Sequence, residues 1–187
     1  MFSRILLYAL VGLLVVIVLH FLLSLIGRQA ARARTKWTYW EILVYLGVLG
    51  SVAVLGTTAF YAVLKFGSMH GWILFAHMFG AGAFVAVLPV VALTWCEANR
   101  LTAGPEAGSL TDPGPAPRFF WFPKLMFWLL VTGGFVVTMT MLLSMLPLFG
   151  TEELEELLEI HRYSGLVVVV AVALHLYCVL LQRLRWR

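Results

Sequence analysis

Residues 161–175 read HRYSGLVVVVAVALH, an apolar run bounded by His161 and His175 in which Arg162 is the only charge. Its length decides the fold. With the apolar residues that follow, to about residue 183, it is long enough to cross a hydrocarbon layer of about 30 Å as a helix. A helix is the form open to it, because every backbone amide in lipid needs a partner inside the segment. The two histidines are fourteen residues apart; at about 100° per residue that interval returns the helix to within roughly 40° of its starting face. At about 1.5 Å per residue the rings stand roughly 21 Å apart along the axis, so one falls in each half of the membrane. Intramembrane histidines are costly without a partner, and neutral imidazoles are good axial ligands for haem iron. The spacing predicts a helix that gives one ligand to each of two stacked haems.

The rest of the chain agrees with a membrane setting. Of its 187 residues 62% are apolar and 12% charged, and the mean hydropathy is +0.96. Such a composition belongs to a polytopic, all-α membrane protein and leaves no room for a sizeable soluble domain. Five spans can be read, at about 4–27, 40–64, 70–96, 123–147 and 160–183. The polar stretch at about 97–120 is rich in Pro and Gly and reads as a loop. The expected organisation is an N-terminal transmembrane helix with a basic loop over 1–36, then a four-helix domain over 37–187. The first apolar run lacks a clean small-residue cleavage site, so a retained span is expected rather than a signal peptide. Cys96 and Cys178 are the only cysteines. Without a Cys-x-x-Cys-His motif or a cysteine cluster, the chain attaches no c-type haem and builds no iron–sulfur centre of its own.

Charge orients the spans. Arg28, Arg32, Arg34 and Lys36 crowd the first loop; Arg100, Arg118 and Lys124 lie in or beside the third; Arg183, Arg185 and Arg187 form the tail. The second loop carries only Lys65, and the fourth carries Glu152, Glu153, Glu155, Glu156 and Glu159. The positive-inside rule then puts the first and third loops and the C-terminus in the cytoplasm and the N-terminus outside. Trp37, Trp40, Trp95, Trp121 and Trp186 fall near span ends, as an interfacial belt would. The net charge of +4 reflects this topology. It does not indicate nucleic-acid binding, for no basic patch is interleaved with aromatic residues in a soluble domain.

Depth can be counted back from the basic ends of the spans that run inward. His20 precedes Arg28 by eight residues, and His175 precedes Arg183 by eight. His77 precedes Arg100 by 23, and His161 precedes Arg183 by 22. The histidines thus sort into an outer pair, His77 with His161, and an inner pair, His20 with His175. His70 falls at the outer surface and is the weaker candidate, as a ligand or a pocket residue. The alternative for each is a hydrogen bond between helices. Gly80, Gly82, Gly133, Gly134, Gly165 and the glycines of the second span either make room for a flat porphyrin or pack helices closely. Pro89 reads as a kink. Arg162 on the outer side, and Arg28 and Arg183 on the inner, are positioned to meet haem propionates or simply to anchor topology. No carboxylate or lysine sits deep in a span, so a proton-pumping channel is unsupported.

His161-Arg-Tyr-Ser-Gly165 followed by His175-Leu-Tyr resembles the last helix of the bacterial di-haem cytochrome b family that anchors formate dehydrogenases and nickel–iron hydrogenases. His77-Met-Phe-Gly80 is similar to the histidine and glycine of that family's second helix. The resemblance covers about residues 37 to 183. The family's first helix opens with His-Trp and ends near Thr-Gly-Phe, where this chain has Tyr39-Trp40 and Thr57-Thr58-Ala59-Phe60. The family's fourth ligand is therefore missing, and His20 on the added first helix is the expected substitute. The resemblance implies two haem b groups and a quinone or quinol substrate. It also implies a place in the bacterial cytoplasmic membrane, beside partner subunits that hold iron–sulfur clusters, multihaem cytochrome c, or molybdenum or nickel. By position, His70, Tyr163 and Glu159 would surround an outer pocket, and Glu41 lies near the inner surface. The acidic stretch from Thr151 to Ile160 reads either as a docking helix for a basic partner or as a solvated helix start. The rival classes are a mono-haem or haem-free membrane anchor with helix-bridging histidines, and a small transporter or sensor.

Overall fold

The computed structural model describes residues 1–26, 37–99 and 121–184, without the side chains of 24–26 and 182–184. Arg28, the other first-loop cations, most of the third loop and the Arg183 side chain thus lie outside the described residues. Among the described residues there are five helices and no strand: α1 Phe2–Ile26, α2 Tyr39–Lys65, α3 Gly71–Trp95, α4 Trp121–Ser144 and α5 Thr151–Leu184. All five are long and apolar enough to cross a membrane. The chain is an all-α membrane protein, as its composition indicates.

Local chemistry sets the helix ends. α2 starts at a capping box: Glu41 N–H donates to Thr38 Oγ1 at 3.3 Å, and Thr38 N–H donates to Glu41 Oε2 at 2.6 Å. Such a cap contributes about 1 kcal/mol. The turn into α3 uses Gly67 at φ 76° and Gly71 at φ 57°, left-handed values that favour glycine. α4 stops at Ser144, shortly before Pro147. Pro89 lies within α3 without ending it. α5 begins at Thr151, nine residues ahead of the expected span at 160. Glu152 and Glu153 sit in its first turn, where the positive end of the helix dipole favours them. The acidic stretch is therefore helix continuous with the span. At 34 residues, α5 is about 51 Å long, well beyond a hydrocarbon layer of about 30 Å.

Four helices form the core. α2 and α3 pair as one antiparallel hairpin, with Gly47 against Val87 and Gly80 against Val54. α4 and α5 pair as the other, with Gly133 against Val168. The hairpins meet where α3 touches α4 and where α2 touches α5, which leaves α3 and α5 on opposite corners. Several glycines make these approaches possible. A Cβ on Gly80 would stand 2.9 Å from Val54 Cγ1, and one on Gly134 would stand 2.9 Å from Phe84 Cζ. Between helices in lipid, where hydrophobic driving force is absent, such close van der Waals packing supplies the attraction. These glycines serve helix packing, and Gly165 does not: nothing lies within 4 Å of a Cβ built there.

The two hairpins repeat one another. A shift of 82 positions carries Tyr39, where α2 begins, onto Trp121, where α4 begins. The same shift carries buried Val44, Val48, Val52 and Gly56 onto buried Met126, Leu130, Gly134 and Thr138. A shift of 84 carries Phe84 and Leu88 of α3 onto Val168 and Val172 of α5, all four in one core cluster. Few identities survive, yet the burial pattern does, as expected of a parallel repeat about an axis along the bundle. α1 stands outside this repeat. It runs parallel to α5, with Phe2 against Tyr163 and His20 against Tyr177, and buries Phe2 and Leu6 against Leu166.

Candidate functional site

The faces of α5 decide what each of its residues can reach. Taking His161 as zero, Gly165, Val168, Val172 and His175 fall within about 40° of it, on the side facing the core. Tyr163, Leu166, Val170 and Tyr177 fall about 140–200° away and carry the α1 contacts. The fourteen-residue interval thus places both α5 histidines on the interior stripe.

At the His161 level two matched arrangements face each other. His77 Nδ1 on α3 lies 2.9 Å from Thr58 Oγ1 on α2. His161 Nδ1 on α5 lies 3.1 Å from Thr140 Oγ1 on α4. Each threonine has spent its own proton on its helix. Thr58 Oγ1 lies 2.6 Å from Val54 O and 3.1 Å from Leu55 O, and Thr140 Oγ1 lies 3.0 Å from Val136 O and 2.9 Å from Val137 O. A hydroxyl whose proton goes to a carbonyl can only accept from the imidazole, so Nδ1 carries the hydrogen in both rings. The lone pair is then on Nε2, the atom available to a metal. The shifts that superpose the hairpins also carry Thr58 onto Thr140 and His77 onto His161. The two histidines stand on opposite corners of the bundle.

The donor atoms here are of the kind that an iron porphyrin takes. The donor set is two imidazoles with bare Nε2 lone pairs, the pattern of axial ligation, with Nδ1–H held by a neighbouring oxygen. Open space at Gly165, one turn from His161 on the same stripe, leaves room for a ring edge. The buried Thr138 hydroxyl has no hydrogen-bond partner among the described residues. No group of three or more His, Cys, Asp or Glu is available among the described residues to hold a bare ion, whereas a porphyrin needs only the axial pair.

The His175 level is different. His175 Nδ1 donates to Pro123 O on α4 at 3.3 Å; a carbonyl only accepts, so here too Nε2 is the unprotonated nitrogen. The residue equivalent to His175 in the first hairpin is Val91, which is 2% exposed in the apolar core. Beside His175 stands an aromatic wall: Tyr45 with its ring 6.2 Å away, and Trp95 and Trp37 packed on Tyr45. His20, the expected partner, is hydrogen-bonded through Nδ1 to Tyr177 Oη at 2.8 Å. Tyr177 is two residues past His175 and so about 200° around α5. His77 and His161 hold corresponding places in the two hairpins, each bonded to a threonine, whereas His20 and His175 lie on opposite sides of α5.

The other expected residues are scattered. His70 is the N-cap of α3, exposed, with its ring 5.2 Å from Phe66. Tyr163 stacks edge-on against Phe2 at 5.3 Å, towards α1. Glu159 pairs with Arg162 at 3.0 Å on the surface of α5. These three do not form one pocket. Arg162 remains beside His161, with its guanidinium partly exposed. Glu41 is the capping-box carboxylate of α2. Thr58, Thr140, Tyr177 and the Pro123 carbonyl, the partners of the four histidines, were not expected from the sequence. The signal that finds the threonines is the internal repeat, which identity hides and burial reveals. Comparison with protein-family models, with characterised proteins and with solved structures gives no match for this chain.

Proposed function

We propose that the chain is a b-type cytochrome subunit that carries electrons between a quinone pool and a redox partner within a larger membrane oxidoreductase. One observation carries this: two histidines on opposite corners of a four-helix bundle, at one level, each with Nδ1–H bound to a threonine and Nε2 left for a metal. A haem b held there would supply a one-electron iron(III)/iron(II) couple. His77 and His161 would be its axial ligands. Arg162 supplies a cation beside His161 for propionates.

Support for a second haem comes from His175, a full fourteen residues along the same stripe with the same proton placement. Val91 takes the equivalent place in the other hairpin, and His20 lies across α5. Quinone chemistry and catalytic partners holding iron–sulfur, multihaem, molybdenum or nickel centres rest on the resemblance of α3 and α5. The cytoplasmic-side assignment of Arg28, Arg100 and Arg183 supports a bacterial inner-membrane protein with its N-terminus outside.

A haem-free anchor is the second reading, and a specific observation favours it: each of the four histidines already bridges to another helix. The purified chain decides between them. A reduced α-band in the b-type region, with haem counted per chain as its pyridine haemochromogen, supports the cytochrome. A colourless, stably folded protein rejects it.

A further inference from the structure

We infer that Thr58 and Thr140 are the positioning residues of the haem site, one for each axial histidine; this rests on the haem reading above. Three observations carry it. The same three-atom relay occurs twice, from a carbonyl one turn back, through the threonine hydroxyl, to Nδ1 of a histidine on the next helix. The two copies occupy equivalent places in hairpins whose sequences have otherwise diverged. The neighbouring Thr57 supplies a contrast: its hydroxyl also reaches back, to Ala53 O at 2.7 Å, but it is exposed and touches no histidine. Satisfying the hydroxyl needs only the helix carbonyl, so the contact with the ring is a separate feature of Thr58 and Thr140.

The chemical consequence is specific. A hydrogen bond accepted from Nδ1–H raises electron density at Nε2 and makes the imidazole a stronger donor to ferric iron. It also fixes the azimuth of each ring. The first effect favours the oxidised state, so the two threonines together keep the reduction potential low, and the second sets the g-values. They act through the histidines and touch no reacting atom.

The test uses the full-length chain purified in detergent, with Thr58→Val, Thr140→Val, the double variant, and the Ser variants at both positions. Valine keeps the shape and deletes the acceptor. Readouts are haem per chain, the midpoint potential by redox titration, and the low-spin ferric signal in electron paramagnetic resonance. Each Val variant should keep its haem while its potential rises and its g-values shift. The double variant should move further, the Ser variants should return towards the wild-type values, and Thr57→Val should change nothing. Wild-type potential and g-values in both Val variants at full haem content overturn the inference. If the Val variants lose haem, the Ser variants decide. Full haem at the wild-type potential sustains the positioning role, and loss of haem with serine as well shows that threonine shape alone matters and overturns it. A wild-type chain without haem defeats the functional proposal itself.

Discussion

Gly165 and Gly134 make opposite demands, and under the proposed haem reading the open side of Gly165 is where a ring edge would lie. A Cβ at Gly134 would lie 2.9 Å from Phe84 Cζ and 3.0 Å from Leu88 Cδ1, so the neighbours must give by about half an ångström. Overpacking of that kind costs about 1–3 kcal/mol, while Gly to Ala in a helix returns about 1 kcal/mol. Gly134→Ala should therefore destabilise the protein by up to about 2 kcal/mol whether haem is present or not. At Gly165 nothing lies within 4 Å. Gly165→Ala should stabilise the haem-free protein by up to about 1 kcal/mol. Gly165→Leu should fill the gap with three further carbons and leave the haem-free fold intact. If the haem must then be overpacked by about 1–3 kcal/mol, its affinity falls roughly 5- to 150-fold. Thermal unfolding in detergent, followed by circular dichroism on haem-depleted protein, reads the first quantity, and haem titration reads the second. Gly165→Leu with wild-type haem affinity and spectrum would refute the assignment of that space. So would a loss of haem-free stability equal to that of Gly134→Ala.

Further outcomes follow from the same geometry. His20→Ala should leave haem content unchanged, because its ring is bonded to Tyr177 on the far face of α5; loss of a haem on removing it would establish the inner pairing that its depth suggests. His175→Ala should leave the low-spin signal of the His77–His161 iron intact, and a change in that signal would show that the two levels share one ligand field. Thr38→Ala should remove the capping box of α2 and cost about 1 kcal/mol in thermal unfolding, with no effect on the haem spectrum. An unshifted unfolding transition would show that α2 is held by packing alone.

The sequence made the spans legible because lipid imposes one length and one hydrogen-bonding solution on each of them. Helix ends were harder. The Glu-rich start of α5 resembles a polar loop in hydropathy, yet glutamate near a helix N-terminus is favoured by the dipole, and the helix runs nine residues further than hydropathy suggests. Depth suggested two pairs, because the spans that carry these histidines run the same way and end in arginine. Depth says nothing about azimuth, which is why His20 and His175 looked equally well matched. Only the placement of α1 on the Tyr163–Tyr177 face of α5 separates them. The threonine partners were missed for another reason: they stand out only when the two hairpins are aligned on their burial, which no local pattern encodes.

The most direct measurement is low-temperature electron paramagnetic resonance of the oxidised protein, with haem counted in parallel, for wild type, His77→Ala, His161→Ala and the double variant. If the two histidines share one iron, each single variant loses the same bis-imidazole low-spin signal, and the double variant loses no more than either single one. Loss of different signals, additive loss in the double variant, or a signal untouched by either substitution would contradict a shared site between α3 and α5.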